Sequence, residues 1–219
     1  MQPEAEEFLR FAAGRGALRF GEFKTKSGRL SPYFFNLGDL CQGSDLARLA
    51  GFYARALIRE FPGGLDIVFG PAYKGIPLAA ACCMELHSAH GIATGYCFNR
   101  KEAKDHGEGG TLVGSIPRPG QRLVILDDVL TAGTSLRETV GWLRPLPGVK
   151  IMGLLIGLDR GERGQGAASA RTEAERDLGL PVCAIAGVGD LLEMLKSGRL
   201  AAPAGTAERL AAYLAAYGA

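Results

Sequence analysis

Four short apolar runs, Asp66 to Phe69, Leu123 to Leu126, Ile151 to Leu158 and Pro181 to Ala186, each end in a polar or glycine-rich turn. Runs of this length with no alternating polar face suit strands buried on both sides. Between them lie patterns of helical period. Leu46, Leu49, Ala50, Tyr53 and Leu57 follow the candidate cap Ser44, and Thr172 with Glu175 reads as a capping box closed by Gly179. This alternation predicts an α/β fold, a parallel sheet with helices on both faces, in which ligands bind beyond the carboxyl ends of the strands. Residues 1–40 break the pattern, with an amphipathic start around Phe8 to Ala12 and the extended pieces LRFGEF and SPYFFNL. They are predicted to form a small cap within a single domain spanning 1–219. Gly161 to Ala170 and Ala201 to Gly205 read as flexible connections.

With 219 residues, 47% of them hydrophobic, the chain can bury a substantial core. A formal charge of only +2 argues against a nucleic-acid surface. The five cysteines, Cys41, Cys82, Cys83, Cys97 and Cys183, form no C-x-x-C pair and read as reduced, small hydrophobes. The start MQPEAEEFLR is acidic and lacks an apolar h-region, and no apolar stretch approaches bilayer length, so a soluble cytoplasmic protein with no membrane partner is expected. Lysine is scarce, seven against eighteen arginines, yet Lys24, Lys26, Lys74, Lys101 and Lys104 fall in three short glycine-containing segments. A compact ammonium suits phosphate oxygens, so these segments are candidate phosphate-facing loops.

The most specific segment is LVILDDVLTAGTS, Leu123 to Ser135. A strand delivers Asp127 and Asp128 to its carboxyl end. Thr131, Ala132, Gly133, Thr134 and Ser135 then lead into a helix expected to begin near Leu136. Small residues let the backbone turn tightly, so amides and hydroxyls converge on one anion at the positive end of a helix. The ionised carboxylates before it are acceptors suited to two vicinal sugar hydroxyls. A ribose 5-phosphate satisfies both halves, and the lysine that a Walker-type loop requires is missing.

Three further segments carry polar chemistry. In FGPAYKGIPLA, Phe69 to Ala79, Gly75 admits a close backbone approach before a helix expected near Ile76. The residues alone allow a second anion site or a helix start with an exposed lysine. YCFNRKEAKDHGEGG places Arg100, Lys101, Lys104 and His106 among glycines with no apolar anchor, which suits a surface insertion or a lid. In FKTKSGRLSPYFFN, Phe34 and Phe35 point to opposite sides of an extended backbone, and composition alone favours both as core residues. His87 and His90 read as ordinary helix residues.

Together these four segments resemble the type I phosphoribosyltransferases and, within them, the orotate phosphoribosyltransferases, over a stretch from about Phe8 to Leu195. The resemblance implies transfer of ribose 5-phosphate from phosphoribosyl pyrophosphate to orotate, a step of UMP biosynthesis. It implies Mg2+ bound mainly through phosphoribosyl pyrophosphate and water, with no direct protein ligand, and a homodimer with shared sites. By the same resemblance Asp127, Asp128, Val129, Leu130, Thr131, Ala132, Gly133, Thr134 and Ser135 hold the ribose phosphate. Lys26, Tyr73, Lys74, Arg100, Lys101, Lys104 and His106 surround the pyrophosphate. Lys26, Phe34, Phe35, Thr131 and Arg160 serve orotate, and Lys26, Lys104, Asp128 and His106 are the implied catalytic residues. The family often holds a cis peptide in the loop of Tyr73. A base lacking the carboxylate is expected to leave a buried Arg160 unpaired. Two other readings share the ribose-phosphate motif. One is a phosphoribosyltransferase for another base, against which Phe34, Phe35 and Arg160 argue. The other is a regulator that senses phosphoribosyl pyrophosphate, for which the roughly twenty residues before the first motif leave no room for a winged helix.

Overall fold

The computed structural model describes residues 2–25, 28–101, 111–130 and 133–219, without the side chains of 134 and 135. Six strands form the main sheet: β3 (Ile67–Phe69), β4 (Gly95–Asn99), β5 (Leu112–Gly114), β6 (Arg122–Val129), β7 (Lys150–Asp159) and β8 (Val182–Gly187). Their order is β5-β4-β3-β6-β7-β8, and every pair is parallel except β4 with β5 at one edge. Two further strands, β1 (Leu18–Lys24) and β2 (Leu30–Phe35), make a separate antiparallel pair.

The double-sided burial expected of the apolar runs is present residue by residue. On one face Val68, Val124, Leu126 and Leu155 join a core with α1 (Pro3–Gly14), α2 (Gly43–Glu60) and α3 (Gly75–His90). The same core takes in α6 (Val188–Lys196) and α7 (Thr206–Tyr217). On the other face Ile67, Phe69, Leu123, Ile125, Leu154 and Ile156 pack with α4 (Thr134–Leu143) and α5 (Ala170–Leu178). Alternate residues of one strand thus point to different cores, each buried side chain contributing about 1.5–3 kcal/mol. Phe8 of α1 meets Phe52 of α2 edge-on, with centroids 5.4 Å apart.

Three local expectations are corrected. Ser44 lies inside α2, which starts at Gly43 after Gln42; the first-turn carboxylate of Asp45 pairs with Arg15 at 3.0 Å. Helix α5 is capped by Ser169, whose Oγ accepts from the Thr172 amide at 3.0 Å. Glu175 instead accepts from the Val182 amide at 3.0 Å, while Gly179 closes the helix in the left-handed region as expected. The connection Gly161 to Ala170 is tied down, because the Glu173 carboxylate accepts from the amides of Gln165 and Gly166 at 2.8 and 2.6 Å. Those two bonds hold the Glu173 carboxyl below its usual pKa.

The five cysteines are free thiols; Cys82, Cys83 and Cys97 are buried, and Cys41 is exposed. His87 and His90 fall in the last turn of α3. No helix among the described residues is long and apolar enough to cross a membrane.

Candidate active site

Strands β3, β6 and β7 are neighbours, so their carboxyl ends bring Gly70, Asp127–Asp128 and Arg160 to one edge of the sheet. The turn after β3 depends on two glycines. A Cβ at Gly70 would stand 1.9 Å from the Gly75 carbonyl oxygen, and one at Gly75 would stand 2.6 Å from the Gly70 carbonyl carbon. The backbone therefore crosses itself there with no room for a side chain, and the Ala72–Tyr73 peptide is cis. Asn99, buried at the end of β4, accepts from the Ala72 amide at 2.9 Å and pins the turn. Gly70→Ala is expected to destabilise the protein by about 1–3 kcal/mol, because neither backbone can give way. A chemical denaturation midpoint within error of the wild type would refute that crowding.

The turn presents Tyr73, 67% exposed, and Lys74. Lys101 Nζ lies 4.7 Å from the centre of the Tyr73 ring. Lys74 Nζ reaches Asp128 Oδ2 at 3.0 Å and so links the turn after β3 to the end of β6. Asp128 Oδ1 accepts from the Val129 amide at 2.9 Å, and Asp127 Oδ1 accepts from the Asp128 amide at 2.8 Å. The Tyr53 hydroxyl donates to the Asp127 carbonyl at 2.8 Å. Gly157 of β7 leaves space for it, since a Cβ there would meet that hydroxyl at 2.9 Å. Burial, reinforced by the Asp128 charge, pushes the Asp127 carboxyl up to about 7.

At the end of β6 Val129 is half-buried, and Leu130 just past it is buried. Gly133 occupies the left-handed region at φ 71° directly before α4, which begins at Thr134 rather than Leu136. The helix expected near Ile76 also starts earlier, by one residue, at Gly75. Lys26, Lys104, His106, Thr131 and Ala132, with the side chains of Thr134 and Ser135, lie outside the described residues. The Arg100 amide donates to the Thr111 carbonyl at 2.7 Å, and its Nε is buried without a partner among the described residues.

Arg160 follows β7 and is 9% exposed. Its Nε and Nη2 both reach Glu162 Oε1, at 2.8 and 2.6 Å, and Nη2 also reaches Ser31 Oγ at 3.3 Å. The guanidinium carbon lies 4.5 Å from the centre of the Tyr33 ring. An Arg160 left unpaired in the absence of a ligand is thereby corrected: one edge of its fork is already satisfied by Glu162. Strand β2 does come to Arg160, but through Ser31 and Tyr33. Phe35 is buried against Phe8, with ring centroids 6.1 Å apart, and Phe34 packs on Phe23 at 5.5 Å under Arg19.

Sequence reasoning thus missed Tyr53, Asn99, Ser31, Tyr33 and Glu162. Asn99 offered a usable signal, as a polar residue closing an apolar strand, whereas Tyr53 was absorbed into the helical apolar stripe. Two clefts of about 430 and 490 Å3 lie around α1 and β8, and neither is lined by Lys74, Asp127 or Asp128. The charges lining the smaller one pair among themselves, Glu6 with Arg10 at 2.8 Å and with Arg199 at 2.6 Å.

Residues 38–165 match the phosphoribosyl transferase domain family. The orotate phosphoribosyltransferase of Thioalkalivibrio sulfidiphilus is 55% identical over 196 residues, which cover 90% of this chain and 90% of that protein. This chain belongs to the orotate phosphoribosyltransferase family. The solved orotate phosphoribosyltransferase of Francisella tularensis aligns with a TM-score of 0.84 at 36% identity, covering 97% of this chain and 100% of its own. An orotate phosphoribosyltransferase of Pseudomonas fluorescens is 53% identical over 196 residues, 90% of each chain. Family membership accounts for the parallel sheet and for the placement of the acidic pair at the end of β6.

Proposed function

We propose that this chain transfers ribose 5-phosphate from phosphoribosyl pyrophosphate to orotate, releasing orotidine 5'-phosphate and pyrophosphate. The observation that carries this reading is the Lys74–Asp128 contact of 3.0 Å, which sets a phosphate-binding cation beside a hydroxyl-binding carboxylate at adjacent strand ends. The two ribose hydroxyls donate to Asp127 and Asp128, which stand at the carboxyl end of β6. Lys74 turns to the pyrophosphate, with Tyr73 and Lys101 beside it, and Arg160 meets the carboxylate of orotate. The orotate nitrogen forms its bond to C1 of the ribose as the bond from C1 to pyrophosphate oxygen breaks, and the proton of that nitrogen is lost. Positive charge growing on the ribose ring is stabilised by the carboxylates beneath it, and negative charge on the leaving group by the lysines. No nucleophile from the chain enters the reaction, so catalysis rests on positioning and electrostatics.

No group of three His, Cys, Asp or Glu side chains among the described residues is arranged to hold a metal. The hard oxygens of Asp127 and Asp128 fit Mg2+ held through phosphoribosyl pyrophosphate and water, and when bound the ion neutralises pyrophosphate charge. The reading includes Lys26, Lys104 and His106 around the leaving group, a cytoplasmic setting and a homodimer. Met84 of α3, 73% exposed, with Tyr96 and Ile116 at the β4–β5 end of the sheet, supplies apolar surface suited to a second copy.

In a direct assay with phosphoribosyl pyrophosphate and Mg2+, orotate absorbance is expected to fall with release of pyrophosphate. Uracil should react about tenfold to a hundredfold more slowly, the worth of one charge-assisted pair at Arg160. Comparable turnover of uracil would overturn the base assignment.

A further inference from the structure

Arg160 is held from behind by a cluster that the transfer reaction does not use. Glu162 Oε1 takes both Nε and Nη2 of Arg160, at 2.8 and 2.6 Å. Its other oxygen, Oε2, lies 3.4 Å from Arg29 Nη1. Arg29 in turn sits 5.2 Å over the ring of Tyr217 in α7 and donates to the Arg163 carbonyl at 3.3 Å. Tyr213, also in α7, is 5% exposed. Its hydroxyl is near enough to Glu162 and Arg160 to feel their charges, yet forms no hydrogen bond of proper geometry among the described residues. The guanidinium is thus clamped between the Tyr33 ring, Ser31, Glu162 and the carboxyl-terminal helix.

A guanidinium has two edges that can each receive a carboxylate. Glu162 takes the Nε edge, Nη2 also reaches Ser31 Oγ at 3.3 Å, and no hydrogen bond of Nη1 is found among the described residues. We infer that Glu162, anchored by Arg29, is a positioning residue for the orotate site: it fixes Arg160 side-on, so that Nη1 is left for the base's carboxylate. The inference rests on the reading of Arg160 as the orotate-binding arginine. A long side chain fixed before binding loses less rotamer freedom on meeting its ligand, so the effect belongs to orotate affinity.

The test compares Glu162→Ala, Glu162→Gln, Arg160→Ala and the Arg160→Ala, Glu162→Ala double variant in the full chain. Michaelis constants for both substrates and melting temperatures are measured for each. Glu162→Ala is expected to raise the KM for orotate about tenfold and to leave the KM for phosphoribosyl pyrophosphate within about twofold. Glu162→Gln keeps an acceptor at the same place and should recover most of that loss. In the Arg160→Ala background, removal of Glu162 should change the orotate KM by less than about twofold, since the arginine it positions is gone. Equal rises in both KM values with a lowered melting temperature would make Glu162 merely structural and overturn the inference. A lower KM for orotate in Glu162→Gln would also overturn it, by making Glu162 a competitor for Arg160. If Arg160→Ala leaves the orotate KM unchanged, the reading of Arg160 has failed and the inference falls with it. A raised KM in Arg160→Ala with none in Glu162→Ala sinks the inference alone.

Discussion

An Asp127→Asn, Asp128→Asn double variant is expected to lose about 10² to 10⁴ in kcat/KM for phosphoribosyl pyrophosphate, the worth of two charge-assisted hydrogen bonds to the ribose. The single variant Asp127→Asn separates that role from stability. Burial and then the Asp128 charge raise the Asp127 carboxyl from its ordinary 3.8 to about 7. The folded chain therefore binds this proton more tightly than the unfolded chain. Its contribution to stability is full below the unfolded value of 3.8 and is lost as pH rises through about 7. Asp127→Asn keeps an oxygen for the Asp128 amide and removes the buried charge, so it should melt higher than the wild type at pH 8, with the gap closing at pH 5. The same titration should appear in activity, as a rise of kcat/KM toward neutral pH in the wild type that is missing in Asp127→Asn. A variant that melts lower at pH 8, or that keeps the rising limb, would show that Asp127 does not carry this charge.

Equal mixing of Lys104→Ala with Asp128→Asn, under conditions of demonstrated subunit exchange, is expected to restore about a quarter of wild-type activity from two crippled proteins. In the proposed dimer Lys104 of one subunit closes over the phosphoribosyl pyrophosphate held by Asp127 and Asp128 of the other. Lys104→Ala alone should lower kcat by about 10² to 10³, since its charge matters most as the pyrophosphate departs. Half the mixed population is heterodimeric, and each heterodimer has one site with both lesions and one with neither. No recovery after exchange would place Lys104 in its own subunit and overturn the shared-site arrangement.

Much of this fold was legible because its strands are buried twice. A run such as Leu123 to Leu126 has no solvent face, and the two cores of the structure divide its residues as such a run requires. The position of the acidic pair at the end of β6 was equally legible, since the apolar run before it fixes where the strand delivers it. Helix starts were less so: Ser169 and Thr172 are similar in local propensity, and the choice falls on the one whose oxygen meets a free amide. The surroundings of Arg160 were the least legible. Phe34 and Phe35 stood out as a pair, but the pleat sends Phe35 into the core against Phe8. The residues that touch Arg160 come from Ser31 and Tyr33, about 130 positions away, and from Glu162, which local sequence reads as one more surface acid.

The Lys74–Asp128 pair also bears on which molecules can stay in the site. With its cation and anion already joined at 3.0 Å, the Lys74–Asp128 pair itself offers a stray anion little net attraction. Inorganic phosphate, arriving alone, must part the two charges and can compensate only the lysine. In the proposed reading, phosphoribosyl pyrophosphate brings oxygens for the lysine and hydroxyls for the aspartate in one molecule, so both charges exchange partners together. Under that reading the pair would act as a two-key lock, favouring a ligand that carries both halves over abundant anions that carry one.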